Sequence, residues 1–275
     1  MEFSVLMPVY IKEDHRFLDE ALSSITDGQI LLPNEIIIVE DGPLNTDLYR
    51  TLDKYSAKYP AIIKRIKLSQ NLGMGKAMNA GLMEASYEFI ARMDSDDVSM
   101  PDRFQKQICF LIENPEIDVI GSLIREFLVK PGDINKKRPL PEQHNDIVKY
   151  LKYRNPINHM TVIYRRELAI AAGGYWNNRV YEDYNLWYEM ARHGAKFYNL
   201  QKPLVDARIG NNMVGRRRGA DYLKNEIVFF KKLSTDKFIS KPALYYNITL
   251  RVILRLIPKR LLEWVYFNLL RSTHY

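Results

Sequence analysis

Apolar residues along the first hundred positions fall into two alternating rhythms. Residues 3–9 (FSVLMPV) form an apolar run with no helical period, which predicts a buried strand. Residues 17–25 then place Phe17, Leu18, Ala21, Leu22 and Ile25 at the spacing of an amphipathic helix. Residues 35–40 (EIIIVE) and 62–68 predict the second and third strands, and 48–58 and 75–85 the helices that follow them. A fourth strand is predicted at 87–93, interrupted by Arg92. Strand and helix thus alternate four times at roughly 30-residue spacing, the pattern of an α/β fold with a mostly parallel central sheet and helices on both faces.

Beyond residue 100 the rhythm loosens. Residues 119–129 read as a strand pair or a strand and turn, and 130–142 as a polar loop with three prolines. Residues 156–164 place His159 beside a strand, and 182–192 form a helix opened by Glu182 and Asp183. Three glycines and the run Arg216, Arg217, Arg218 make 208–219 a mobile loop. Helices are predicted at 222–233, 243–256 and 259–271. The last two mix large apolar side chains with Arg251, Arg255, Lys259, Arg260 and Arg271. That mixture suits either a basic amphipathic surface on an anionic membrane or a packed helical pair with a solvated basic face.

At 275 residues the chain is long enough for one large domain or two small ones, and 47% hydrophobic with 27% charged residues is ordinary for a soluble globular protein. The net charge of +7 is unevenly placed: residues 208–275 hold fourteen basic against four acidic side chains, a net of +10, and residues 1–207 a net of −3. A near-neutral body with a basic final quarter predicts an anionic partner for that quarter: nucleic acid, an anionic membrane or a phosphorylated substrate. The expected division is therefore 1–207, with halves at about 1–100 and 101–207, followed by a basic loop and helical tail at 208–275. A single cysteine, Cys109, excludes an internal disulfide and fits a reducing compartment. No signal peptide is expected, and no run of about 18 apolar residues predicts a membrane span.

Ligands of parallel sheets bind at the carboxyl ends of the strands, and polar clusters fall there. They are Pro8, Val9 and Tyr10; Glu40 and Asp41; and Asp94, Ser95, Asp96 and Asp97. Three neighbouring carboxylates repel one another and raise each other's pKa, so a divalent cation is their natural partner. Hard oxygen ligands suit Mg²⁺ or Mn²⁺, usually shared with a phosphate. A helix cap explains one Asp, not three. Asn71-Leu72-Gly73-Met74-Gly75-Lys76 lies between the third strand and its helix, where glycines let backbone N–H groups approach an anion. The same spacing also describes a plain turn, and it is not an ATPase loop. By themselves Glu182 and Asp183 read as dipole-stabilising acids of a first helical turn, and His159 as a structural or surface histidine.

Taken in order, SVLMPVY, IIIVEDG, NLGMGKAMNAGL, FIARMDSDD with MPDRF, and YEDYNLWYEM resemble the motifs of family 2 inverting glycosyltransferases with the GT-A fold. The resemblance covers roughly residues 3–218. It implies a UDP-sugar donor, Mn²⁺ or Mg²⁺, and single-displacement transfer. Pro8, Val9 and Tyr10 then line the nucleobase and ribose pocket, and Asp41 contacts uracil. Glu40 stands where the family usually has Asp, so its place as a ligand is in doubt. Asn71, Gly73 and Lys76 lie near ribose and diphosphate. Asp94, Ser95 and Asp96 match the D-x-D motif, with Asp96 and Asp94 on the metal and Asp97 as an unusual extra carboxylate. Asp183 becomes the catalytic base, with Glu182 orienting it or a sugar hydroxyl.

Bacterial enzymes with such a basic loop and tail resemble those that build O-antigen or capsule repeat units on a polyprenyl-diphosphate sugar. His159, Arg216, Arg217 and Arg218 would then meet the acceptor or a diphosphate. The expected location is cytoplasmic, on the inner face of the membrane, with glucose or galactose transferred and no nucleic acid bound. Two alternatives stand beside this one. A sugar-nucleotide nucleotidyltransferase would want a Gly-rich basic loop where PVYIKEDHR stands, and a non-catalytic sugar- or nucleic-acid-binding protein would use the basic tail alone.

Overall fold

A computed structural model of the chain describes residues 1–134, 139–178, 180–209 and 219–256. Arg216, Arg217, Arg218 and the helix expected at 259–271 lie outside the described residues. The first half follows the predicted alternation: β1 (Phe3–Val9), α1 (His15–Ile25), β2 (Glu35–Glu40), α2 (Thr46–Lys58), β3 (Ile63–Lys67), α3 (Met74–Glu84) and β4 (Phe89–Arg92). Local chemistry starts these helices where they start. The Asp14 carboxylate accepts the Arg16 N–H at 2.9 Å ahead of α1, and the Asn45 side chain accepts the Leu48 N–H at 2.9 Å ahead of α2.

The second half supplies β5 (Val98–Ser99), α4 (Arg103–Glu113), β6 (Val119–Phe127), α5 (His144–Leu151), β7 (Ile163–Arg165), α6 (Arg166–Ala171), α7 (Glu182–Arg192) and β8 (Phe197–Arg208). A 3₁₀ turn at His159–Thr161 precedes β7, and α8 (Ala220–Thr235) and α9 (Lys241–Leu256) follow the sheet. All eight strands join one sheet in the order β3-β2-β1-β4-β7-β6-β8-β5. The pairs β1–β2, β2–β3, β1–β4 and β6–β8 are parallel, whereas β7 runs antiparallel between β4 and β6. Residues 119–127 are one strand followed by a turn, the second of the two expected forms; β6 pairs with β8 along its length, with register shifts between Ser122 and Leu123 and between Leu123 and Ile124.

Side chains alternate across the sheet with period two, and each face is covered. Leu6, Ile37, Val39, Ile90 and Tyr164 pack under α3, α7 and α8, while Val5, Met7, Ile36, Ile38 and Ala91 pack under α1, α2 and α4. Helix α3 lies so close that a Cβ on Gly81 would come within 2.2 Å of Leu6 Cδ1. Helix α8 contributes Phe229, Phe230 and Leu233 to the same core as α7, and β8 runs to Arg208, one residue into the segment expected as loop.

Arg251 and Arg255 overturn the expectation of a basic outer face on α9. Both turn inward toward the buried Glu226 of α8: Arg255 donates from Nε at 2.9 Å and Nη2 at 2.7 Å. A carboxylate in the core demands such partners. The large apolar side chains that α9 exposes are Tyr245, Tyr246, Leu250 and Ile253, alongside Lys241 and Thr249. No helix among the described residues is long and apolar enough to cross a membrane.

The chain steps from β1 to β2 and β3 on one side, then returns to place β4 on the other. This is a topological switch point, and the crevice outside the carboxyl ends of β1 and β4 is where such sheets bind ligands.

Candidate active site

Residues following β1, β2 and β4 share that edge. Pro8 and Val9 are buried at the end of β1 and Tyr10 is half-buried beyond it. Asp41, just past β2, is nearly buried. Its Oδ1 accepts the Leu72 N–H at 2.7 Å and its Oδ2 the Gly73 N–H at 3.1 Å, while Asn71 Nδ2 donates to the Asp41 carbonyl at 3.2 Å. The backbone donors of the glycine loop, expected to approach an external anion, are thus already given in part to Asp41. Gly42 makes this junction possible: φ is +87°, and a Cβ there would lie 2.6 Å from the Asn71 nitrogen. Glu40 Oε1 accepts from Arg65 Nε at 2.5 Å, and its Oε2 is buried with no hydrogen-bond partner among the described residues. Asn71 and Lys76 are exposed at the start of α3.

Asp94, Asp96 and Asp97 offer carboxylate oxygens that all lie within 4.8 Å of one another. They differ in setting. Asp97 is buried, with Oδ1 accepting the Arg208 N–H at 2.8 Å and Oδ2 unpartnered among the described residues. Burial, then the charges of Asp94 and Asp96, push its carboxyl well above the usual range. Asp94 and Asp96 are half-exposed beside the buried Ser95. This all-oxygen, partly open donor set, with an orphaned carboxylate oxygen behind it, fits a hard divalent cation.

Arg92, which looked like an interruption of β4, is a fully buried guanidinium bonded through Nη1 to Asp94. Its Nε has no partner among the described residues, and the buried Arg103 donates to its carbonyl at 2.7 Å. The Arg92 charge acts on Asp94, Asp97 and Tyr175, and on Glu182 across the crevice. The acidic cluster and the Glu182–Asp183 pair therefore share one electrostatic neighbourhood.

Glu182 and Asp183 open α7. Asp183 Oδ2 accepts from Asn155 Nδ2 at 2.6 Å, and its Oδ1 accepts the Tyr184 N–H at 2.7 Å. Asn155 is itself held by the Ile157 N–H, which donates to its Oδ1 at 3.1 Å. Burial pushes the Glu182 carboxyl up to about 7, with the charge of Asp183 adding to the effect and that of Arg92 opposing it. His159 shares a hydrogen bond between Nε2 and the Tyr175 hydroxyl at 3.1 Å, and Tyr164 meets the same hydroxyl at 3.1 Å. Burial and the Arg92 charge push the His159 pKa well down, so the imidazole is neutral near pH 7.

A polar cleft of about 840 Å³ opens beside Glu182. Residues 71–75 and Asn177 form one side, and Asp221, Lys224 and Asn225 of α8 the other. Arg92, Asn155 and α8 are the parts of this site that sequence reading missed. Only Arg92 left a signal, a cation inside a strand that ends in three carboxylates.

The profile of "Glycosyl transferase family 2" matches residues 4–170. The amylovoran biosynthesis glycosyltransferase AmsE of Erwinia amylovora is 37% identical, over 96% of this chain and 97% of its own. An Escherichia coli UDP-Gal:alpha-D-GlcNAc-diphosphoundecaprenol beta-1,3-galactosyltransferase is 34% identical, over 98% of this chain and 97% of its own. Among solved structures, S. aureus TarS 1–349 in complex with UDP-GlcNAc superposes with a TM-score of 0.66 at 20% identity, covering 85% of this chain and 66% of that one. The mannosyltransferase PcManGT from Pyrobaculum calidifontis, in complex with GDP-Man and Mn²⁺, gives 0.63 at 13% identity, covering 90% and 68%.

Proposed function

The chain belongs to glycosyl transferase family 2, and from that premise we propose that it moves glucose or galactose from a UDP-sugar to a polyprenyl-diphosphate-linked sugar. Transfer inverts the donor's α linkage to β, in the assembly of an O-antigen or capsule repeat unit. The observation that carries the reading is the gathering of Asp94, Asp96 and Asp97 at the switch point, within reach of the same buried charge as Glu182. Full-length similarity to the E. coli galactosyltransferase supports the donor and acceptor classes.

In this reading Pro8, Val9 and Tyr10 hold the nucleoside, and Asp41 accepts from the base with lone pairs its loop contacts leave over. Asn71 and Gly73 lie along the ribose, and Lys76 meets the diphosphate. Asp96, with Asp94, would hold Mn²⁺ or Mg²⁺, whose chemistry there is to offset charge on the departing diphosphate. Asp183 takes the proton of the acceptor hydroxyl while that oxygen bonds to the anomeric carbon. The bond from that carbon to the UDP oxygen breaks with its electron pair leaving on UDP. Asn155 aims Asp183, and Glu182 ionises beside it.

Arg216, Arg217 and Arg218 are proposed to grip a phosphate of donor or acceptor. His159, neutral and bonded to Tyr175, is proposed to shape the acceptor side rather than to supply charge. Residues 208–275 are proposed as the membrane-facing part, on the cytoplasmic surface of an anionic bilayer, with Tyr245, Tyr246, Leu250 and Ile253 as the described contact. The test of mechanism is the anomeric configuration of the disaccharide product by NMR. A β linkage from an α-linked donor is expected; an α product overturns single displacement with Asp183 as base.

A further inference from the structure

The residue before the catalytic pair has an unusual backbone. Tyr181 sits at φ 67° and ψ 30°, the left-handed region that side chains other than glycine rarely adopt, and no side-chain cap secures the start of α7. Such a conformation persists only where its surroundings over-determine it. Here the Tyr181 hydroxyl donates to Glu226 Oε1 at 2.5 Å, and its ring packs edge-on against Tyr184 and Phe229, with centroids 5.2 Å away in each case.

Glu226 is 1% exposed and is clamped by both nitrogens of the Arg255 fork. Arg255 lies over the Tyr222 ring, and its neighbour Arg251 donates to the Tyr153 carbonyl at 2.8 Å. A continuous, largely buried chain of contacts therefore runs from α9 through α8 to the residue that sets the first turn of α7. Both tail helices lie outside residues 4–170, the stretch that the family profile matches.

We propose that Tyr181 is a positioning residue for the Glu182–Asp183 pair, held by the Glu226–Arg255 ion pair, so that the two tail helices are a working part of the transfer site. The proposal rests on the reading of Asp183 as base. Deleting the hydroxyl leaves the ring packing intact but lets the first turn of α7 relax, and small misplacements of a base are costly in rate.

The test compares Tyr181→Phe, Glu226→Gln, Arg255→Met and the double variant Tyr181→Phe/Arg255→Met with the unaltered chain. The readouts are acceptor-dependent UDP release from a UDP-sugar to a GlcNAc-diphosphate-alkyl acceptor, and UDP binding at fixed Mn²⁺. Each single variant is expected to lower kcat about tenfold with donor KM within about twofold and full UDP-binding stoichiometry. The double variant is expected to be no slower than the slower single one, as for residues that act as one unit.

The acid limb of the kcat profile is expected to move below 7 in Tyr181→Phe. Water reaches Glu182 there while the charges facing it stay in place: Asp183 beside it, Arg92 of β4, and Asp221 and Lys224 of α8 across the cleft. Unchanged kcat in Tyr181→Phe and Glu226→Gln, or a rate loss matched by lost UDP-binding sites with the acid limb unmoved, overturns the proposal alone. Absence of transfer by the unaltered chain with every donor overturns the underlying reading and this proposal with it.

Discussion

Replacing Glu182 by Gln is expected to stabilise the protein at pH 8 while slowing it. Burial raises the Glu182 carboxyl from an ordinary 4.5 to about 7. A carboxyl whose pKa is higher folded than unfolded adds stability in full below pH 4.5, and that contribution is lost as pH rises through 7. The displacement is worth ~3 kcal/mol, an upper figure because Glu182 also borders an open cleft. Gln mimics the protonated form at every pH. Urea unfolding should therefore find Glu182→Gln more stable by up to about 3 kcal/mol at pH 8, by about 1 kcal/mol at pH 5, and equal to the unaltered chain near pH 4.

The same substitution should lower kcat at least about tenfold and abolish the rise in rate through pH 7, because an ionised Glu182 makes Asp183 a stronger base. A gain in stability with a loss of rate marks a group held in an unfavourable setting for its chemistry. Equal stability of the two proteins at pH 8, or a less stable variant, would refute the reasoning.

Asp183→Asn should lower kcat by roughly 10²–10⁴ with UDP binding intact, and Asn155→Ala should follow it part of the way, because the 2.6 Å bond that aims Asp183 is gone. Single-turnover transfer after pre-binding donor separates these from binding defects. Gly42→Ala should cost about 2 kcal/mol or more and raise donor KM, since φ is +87° and the new Cβ would lie 2.6 Å from the Asn71 nitrogen. Chemical denaturation and donor titration read both effects. Serine at Tyr245, Tyr246, Leu250 and Ile253 should weaken sedimentation with anionic liposomes without altering UDP binding, whereas a fully retained liposome signal would show that this side of α9 carries none of the attachment.

The first half of the fold was legible because strands buried on both faces leave continuous apolar runs, and because helices between them carry period-3.6 stripes. The acidic cluster was legible from charge alone, since Asp94, Asp96 and Asp97 are adjacent in the chain. The role proposed for Glu182 and Asp183 comes from family resemblance; without it they look like any helix start. Asn155 was not legible, because its bond to Asp183 spans 28 residues. The direction of Arg251 and Arg255 was hidden for a similar reason. An amphipathic helix with arginines reads as basic outward unless a buried carboxylate waits on another helix, and Glu226 lies 29 residues from Arg255. For residues 119–129 the pattern left a strand pair and a strand with a turn both open, and the strand with a turn is what forms, because its partner β8 begins 70 residues further along the chain.

The most direct test is UDP release from a panel of UDP-sugars at fixed Mn²⁺, with and without a synthetic GlcNAc-diphosphate-lipid. One donor is expected to release UDP only when acceptor is present, and that release should vanish in Asp183→Asn. Release that ignores the acceptor and survives Asp183→Asn would contradict the account.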